Sequence, residues 1–325
     1  MEKNHFKIKS ITDLETALVG DIVPESDFCS LTPGGKFVQL EHVEVEEKTF
    51  DYKVKPGIWS IKSIDHDLTL IKTKFSKEAI LDEFVHTETI TSTVEKFFNK
   101  LHVYKEFGID VPKRGILLYG APGCGKSSAI KKVAEQYARQ KSTAVILWAT
   151  DKLNSSDVKD FISSFKYIGV DKLILIAEDI GGVEIDQVKI QSQSSLLALL
   201  DNQEQTFSIP VAIIATTNYP EVFMGSLTNR PGRFDTKIEV GYPSSSERAK
   251  LLEFYLKDKA TDELQEKIKQ KKYIEFSTAH IKETVLRSAI FEIPVAEAMD
   301  QILEEIKQYK DLFQKKTKLG IGNDF

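Results

Sequence analysis

Gly115-Ile116-Leu117-Leu118-Tyr119-Gly120-Ala121-Pro122-Gly123-Cys124-Gly125-Lys126-Ser127-Ser128 decides the fold. Its first half, Ile116 to Tyr119, is a short apolar run that reads as a buried strand. The run stops at a loop, Gly120 to Ser127, that fits the spacing G-x-x-x-x-G-K-[ST] without a gap. Ser128-Ala129-Ile130-Lys131-Lys132-Val133-Ala134 then reads as the first turns of a helix. Strand, glycine-rich loop and helix N-terminus are the context this motif needs. Glycines let the backbone wrap closely around an anion with its N–H groups pointing inward. The helix dipole adds positive potential at the same place. The expected phosphate-binding residues are Gly120, Pro122, Gly123, Cys124, Gly125, Lys126, Ser127 and Ser128. Lys126 would reach the β- and γ-phosphates of a nucleotide, and the Ser127 hydroxyl would ligate Mg²⁺.

Outward from this stretch the chain alternates between apolar runs and helical patterns. Residues 144–148, 173–177 and 211–215 read as buried strands, with helices over 155–165 and 190–200 between them. Such alternation implies an α/β domain with a parallel sheet covered by helices on both faces. From Ser244 onward the pattern is helical only, over 245–258, 261–271, 278–291 and 294–314, before an irregular tail from Lys318. Ahead of the loop, residues 94–107 have helical spacing, and the polar stretch 86–93 (HTETITST) reads as a linker or helix approach. Residues 1–85 differ in texture. Short strand-like segments at 37–40, 52–54, 58–61 and 68–71 are separated by turn signals such as Pro33-Gly34-Gly35 and Pro56-Gly57. The expected organisation is a mostly β adaptor or docking domain (1–85), a large α/β nucleotide-binding domain (86–243) and a small helical domain with a tail (244–325).

The 325 residues carry a net charge of −5 and are 41% hydrophobic, which suits a globular chain of two or three domains. No stretch approaches the ~20 apolar residues of a membrane span. The start, MEKNHFKIKS, has no apolar signal core. The two cysteines are Cys29 and Cys124, and a disulfide at Cys124 would obstruct the loop, so a reducing, cytoplasmic setting is expected. Cys124 itself reads as a small loop residue. Up to residue 90 there are 17 acidic residues, 11 lysines and no arginine. That balance argues against a nucleic-acid platform, which needs a basic face. His5, His42, His66, His86, His102 and His280 lack metal-ligand spacing.

Three further constellations carry chemistry. Glu178-Asp179 follows the run 173–177, and carboxylates at the C-terminal end of a buried parallel strand point into the ligand crevice. Thr216-Thr217-Asn218 ends the next run, where an amide can donate to a phosphate and accept from a water. Arg230 and Arg233 stand three residues apart in a Pro-Gly turn, in a chain with six arginines against 38 lysines. Guanidinium forks stabilise charge on a transferring phosphoryl group.

Taken together, residues 94–310 resemble the AAA branch of the AAA+ ATPases. GIDVPKRGILLYGAPGCGKSS (108–128) is similar to that family's entry strand and Walker A, and LILIAEDI (173–180) to its Walker B. SLLALLDN (195–202), ATTN (215–218) and LTNRPGRFDTKIEVGYPS (227–244) resemble the following helix, the sensor-1 strand and the second region of homology. FSTAHIKETVLRSAIF (276–291) fits the sensor-2 segment of the small domain.

The resemblance implies a P-loop NTPase fold with a helical lid, and a Mg²⁺-dependent ATPase. Asn218 would be sensor 1. Arg230 and Arg233 would reach the nucleotide of the neighbouring subunit. Thr278 and Ala279 would lie near the base and ribose. A ring, usually a homo-hexamer, follows from it. Residues 1–85 lie outside the resemblance and are expected to engage a protein substrate or adaptor. Two alternatives stand beside a protein remodeller: a nucleic-acid-associated loader and a slow, nucleotide-switched scaffold.

Two departures from the family stand out. Its Walker B usually ends Asp-Glu, whereas this chain has Glu178-Asp179, an inversion similar to that of the mitochondrial respiratory-complex assembly AAA proteins. By position Glu178 takes the metal side and Asp179 activates water. The loop 150–157 lacks the aromatic–apolar–Gly tread of the family's unfoldases.

Overall fold

The computed structural model describes residues 5–8, 28–31, 38–41, 57–64, 67–73, 87–109, 111–147, 170–180, 200, 207, 209–220 and 233–318. The segments 52–54, 150–157, 155–165, 190–199 and 319–325, together with Arg230, lie outside these described residues. The chain divides into two compact units. One comprises Met1–Lys77, His86–Tyr119 and Ser127–Ile238, the other Glu78–Val85, Gly120–Lys126 and Glu239–Phe325.

The first unit is built on a sheet. Its strands are β1 (His5–Ile8), β2 (Phe28–Leu31), β3 (Val38–Glu41), β4 (Gly57–Ile64), β5 (Asp67–Thr73), β6 (Lys113–Tyr119), β7 (Thr143–Leu147), β8 (Lys172–Ala177), β9 (Val211–Thr217) and β10 (Thr236–Glu239). Their order is β1-β3-β2-β5-β4-β7-β8-β9-β6-β10. The pairs β4–β7, β7–β8, β8–β9 and β9–β6 are parallel. This is the covered parallel sheet that the alternating pattern implies. β9 is buried along its whole length and β8 after its first residue, as expected of strands with helices on both faces. β1 and β2 carry no strong pattern in the sequence and emerge only through antiparallel pairing with β3 and β5. The β4–β5 hairpin is hydrogen-bonded into the parallel sheet through β7, where Ile58 and Trp59 are buried.

Within the polar stretch 86–93, read as a linker or helix approach, residues 87–93 are already helical. Helix α1 spans Thr87–Asn99, followed by α2 (Leu101–Glu106). Ile90, Val94, Phe97 and Phe98 fall at i, i+4, i+7 and i+8 and are all buried. Ser92 and Thr93 donate their hydroxyls to the Thr89 carbonyl, so these two polar side chains are satisfied inside the helix, whereas the buried hydroxyls of Thr87 and Thr91 have no partner. Helix α3 (Lys126–Tyr137) buries Ala129, Ile130, Val133, Ala134 and Tyr137. The Phe98 and Tyr137 rings stand 6.2 Å apart.

In the second unit, α4 (Ser245–Leu256), α5 (Asp262–Lys269), α6 (Thr278–Phe291) and α7 (Val295–Lys318) match the four expected helices. Leu251, Leu252, Ile268, Tyr273, Phe276, Ile281, Met299 and Ile302 form their core. Each fully buried large side chain contributes roughly 1.5–3 kcal/mol.

One arginine is structural here. Arg248 is 3% exposed and donates from Nε to the Ile268 carbonyl (2.9 Å), from Nη1 to Pro243 (2.9 Å) and from Nη2 to Lys269 (3.2 Å). It thereby satisfies carbonyls at the C-terminal end of α5.

Asp300 is the polar hub of the same bundle. It accepts from Tyr273 Oη (2.5 Å), Lys267 Nζ (2.6 Å) and Lys272 Nζ (3.1 Å). Burial alone would raise its pKa, but these donors outweigh burial and bring it down to about 2 from 3.8. A depressed carboxylate adds stability above its unfolded value, and that stability is lost as pH falls toward about 2. Asp300→Asn should therefore unfold at a lower temperature than the parent at neutral pH, with the gap narrowing between about pH 4 and 2. A gap that did not change over that range, measured by thermal circular dichroism, would show that the charge of Asp300 contributes nothing.

Candidate nucleotide site

β6, β8 and β9 are parallel, so their C-terminal ends, Tyr119, Ala177 and Thr217, lie along one edge of the sheet. In open α/β sheets this is the edge that binds ligands. The chain leaves it as the glycine-rich loop after β6, as Glu178-Asp179 after β8 and as Asn218 after β9.

The loop is shaped by its glycines. Gly120, Gly123 and Gly125 have φ of +141°, +74° and +98°, a region that side-chain-bearing residues avoid. A Cβ on Gly120 would sit 2.3 Å from the Val240 carbonyl oxygen. One on Gly123 would sit 2.9 Å from both the Ala279 Cβ and the Ser277 Oγ. Lys126 is 6% exposed, and its ammonium donates to the carbonyls of Gly120 (2.7 Å) and Ala121 (2.8 Å). A cation held at the neck of a turn rich in positive φ is suited to a polyphosphate. Ser127 is exposed and Ser128 half-buried in the first turn of α3. Cys124 is 1% exposed, and burial pushes its thiol pKa up against the lowering effect of Lys126. It is a buried neutral thiol, as expected of a small loop residue.

Thr278 and Ala279 open α6 directly against this loop. The Ala279 N–H donates to the Gly123 carbonyl (3.0 Å), and the Thr278 Oγ1 is buried without a protein partner. The helix start is fixed by a capping box. Ser277 Oγ accepts from the His280 N–H (3.3 Å), and His280 Nδ1 accepts from the Ser277 N–H (3.1 Å). His280, which has no metal spacing in the sequence, is thus a capping residue, and burial lowers its pKa. Among the described residues no cluster of His, Cys, Asp and Glu could hold a metal by itself.

At the other strand ends, Glu178 and Asp179 are both exposed. They differ in what holds them. Asn218 Nδ2 donates to Asp179 Oδ1 at 2.7 Å, and the Asp179 N–H donates to Thr216 Oγ1 at 2.8 Å. The Ile180 N–H donates to the Thr216 carbonyl (2.8 Å). Asp179 has φ of +51°, a conformation that Asp tolerates better than most residues and that the Thr216 contacts hold in place. Thr216, which lies in the quoted segment 215–218 without a role assigned to it, thus holds the backbone at Asp179 and Ile180.

Of the two arginines, Arg233 is 5% exposed within its own chain. Arg230 lies outside the described residues. Among the described residues no helix is long and apolar enough to cross a membrane.

Residues 116–242 match the family described as "ATPase family associated with various cellular activities (AAA)". A proteasome-activating nucleotidase of Methanothermobacter thermautotrophicus is 31% identical over 192 residues, 51% of this chain and 42% of that protein. A cell division cycle protein 48 homolog of Archaeoglobus fulgidus is 30% identical over 173 residues, 47% of this chain and 21% of that one. An ATP-dependent zinc metalloprotease FtsH of Aster yellows witches'-broom phytoplasma is 28% identical over 268 residues, 73% of this chain and 38% of its own. The chain spans between 21% and 42% of the length of these three relatives. With a glycine-shaped loop after β6, carboxylates after β8 and an asparagine after β9, residues 116–242 match the AAA family of ATPases as a domain of this chain.

Proposed function

We propose that this chain binds ATP with Mg²⁺, hydrolyses it, and uses the cycle to remodel a protein or a protein assembly as part of a ring. The observation that carries the hydrolytic part is the 2.7 Å hydrogen bond from Asn218 to Asp179. It singles out Asp179, of the inverted carboxylate pair, as the group held in a fixed orientation. Its second oxygen is left to accept a proton from an attacking water. Asn218 orients that carboxylate and offers its remaining N–H to the γ-phosphate. Lys126 and the loop N–H groups bind the β- and γ-phosphates. Ser127 and Glu178, two exposed oxygen donors, suit Mg²⁺, which when bound would neutralise phosphate charge. Thr278 and Ala279, tied to the loop at Gly123, lie on the side given to base and ribose. Arg230 is supplied to the neighbouring subunit's nucleotide, while the buried Arg233 anchors the turn. Residues 1–85 serve partner recognition, 86–243 the nucleotide and 244–325 the lid, with recognition falling ahead of β4, whose hairpin is committed to the sheet. The names of relatives that couple ATP to a protease or activate a proteasome favour a protein substrate.

Asp179→Asn should keep ATP affinity within about twofold and lower turnover by roughly 10²–10⁴, the range for losing a general base. Glu178→Gln should instead raise the Mg²⁺ concentration needed for half-maximal activity. Nucleotide-binding titrations and Mg²⁺ dependence measured side by side decide the assignment. Exchanged phenotypes would swap the two roles.

A further inference from the structure

Arg114 and Gly115, near the start of β6, take no part in the candidate site. Gly115 has an ordinary backbone conformation, so its lack of a side chain answers to space. A Cβ there would lie 1.9 Å from the Arg233 carbonyl oxygen and 3.1 Å from the Phe234 Cα. The first distance is one that a real side chain does not adopt, the second is tight, and the obstacle in both is backbone. The same residue accepts a hydrogen bond from the Asp235 N–H at 3.1 Å. Next to it, Arg114 Nη2 donates to Thr236 Oγ1 (3.3 Å), and Nη1 lies 3.8 Å from Asp235 Oδ2. Two consecutive residues of one strand thus hold the main chain from 233 to 236, while Arg233 is buried at the head of that segment.

We propose that Arg114 and Gly115 are positioning residues for the arginine turn, fixing its downstream end to the strand that runs into the phosphate loop. The proposal rests on Arg230 acting on a neighbouring subunit. Arg230 stands three residues before Arg233 in the chain, so the placement of 233–236 sets where the turn can deliver its guanidinium. A misplacement of about 1 Å can cost roughly 10²-fold in rate. A methyl group on Gly115 demands at least that much displacement, since contact with an oxygen 1.9 Å away must open to more than 3 Å.

The test uses the full chain under assembling conditions. Gly115→Ala should lower kcat by roughly 10–100-fold and Arg114→Ala by roughly 3–10-fold, both with ATP affinity and KM within about twofold of the parent. Arg114→Lys should recover part of the loss. Arg114→Ala subunits would hold nucleotide normally but offer a displaced turn. Mixing them with Lys126→Ala subunits, whose turn is intact, should raise activity above either protein alone.

A fall in ATP affinity in Arg114→Ala would overturn the proposal, because the residue would then serve its own subunit's nucleotide. So would a failure of that mixture when Arg230→Ala mixed with Lys126→Ala recovers activity. If neither mixture recovers, the trans reading itself is lost and the proposal with it. Should Gly115→Ala fail to fold, Arg114→Ala and Arg114→Lys decide the question unaided.

Discussion

Lys126→Ala should bind ATP tens to about a thousand times more weakly than the parent and show no measurable turnover. The reason is the position of the ammonium. It is almost fully buried and bonded to the Gly120 and Ala121 carbonyls, at the neck of a loop whose three glycines have positive φ. In such a place a cation meets the terminal phosphates with little competing water. Removing one partner of a buried, charge-assisted contact costs about 2–4 kcal/mol, which is the stated range in Kd. The variant should nevertheless stay folded. The tie of the loop to α6, Ala279 N–H to the Gly123 carbonyl, does not involve the side chain. Isothermal titration with ATP and a steady-state ATPase assay give the two readouts, and a thermal melt controls for folding. An unchanged Kd and unchanged turnover would remove the phosphate loop from the mechanism.

The loop was the most legible part of this chain because its information is local. Consecutive residues specify the turn, the donors and the cation, and no distant pairing is needed. The parallel strands were legible for a similar reason. Runs such as Leu173–Ala177 and Val211–Ala215 are apolar on both faces, and only a doubly covered strand makes that sensible.

Where the sequence misled or stayed silent, the missing term is non-local. HTETITST reads as a linker or helix approach because seven of its eight residues are polar; from Thr87 on it is helix because Ile90 aligns with Val94, Phe97 and Phe98 in a buried stripe. The pairing of β4 with β7 joins residues more than 80 positions apart, and nothing in either segment announces it. For the carboxylate pair, position alone assigns Glu178 to the metal and Asp179 to water; what the sequence leaves out is the Asn218 amide, 39 residues further on, that holds Asp179. Arg230 and Arg233 are equivalent in a quoted motif; Arg233 is buried within its own chain, and the proposed reaching role falls to Arg230, which lies outside the described residues.

That assignment leads to the second large effect. Arg230→Ala should assemble and bind ATP like the parent, yet turn it over roughly 10²-fold or more slowly. A guanidinium supplied in trans is worth roughly 10³–10⁵ in well-studied GTPases, and a somewhat smaller share is expected here because Lys126 already meets the phosphates within the subunit. Parent turnover per subunit should rise with protein concentration as subunit boundaries form, since an isolated chain would present Lys126, Ser127, Glu178, Asp179 and Asn218 but no guanidinium from a neighbour. The decisive measurement mixes two inactive proteins. Arg230→Ala subunits retain Lys126 and can receive a guanidinium; Lys126→Ala subunits retain Arg230 and can supply one. Boundaries of the right mixed type should hydrolyse ATP at close to the parent rate. In random assemblies of equal parts, about a quarter of all boundaries are of that type, which sets the expected recovery near a quarter of parent activity. Each arginine acting within its own chain predicts a different outcome: no recovery on mixing, and parent turnover per subunit that is flat with dilution down to a monomer verified by analytical ultracentrifugation. Under that result the chain would be a self-contained ATPase, and the ring would have to be justified by something other than its chemistry.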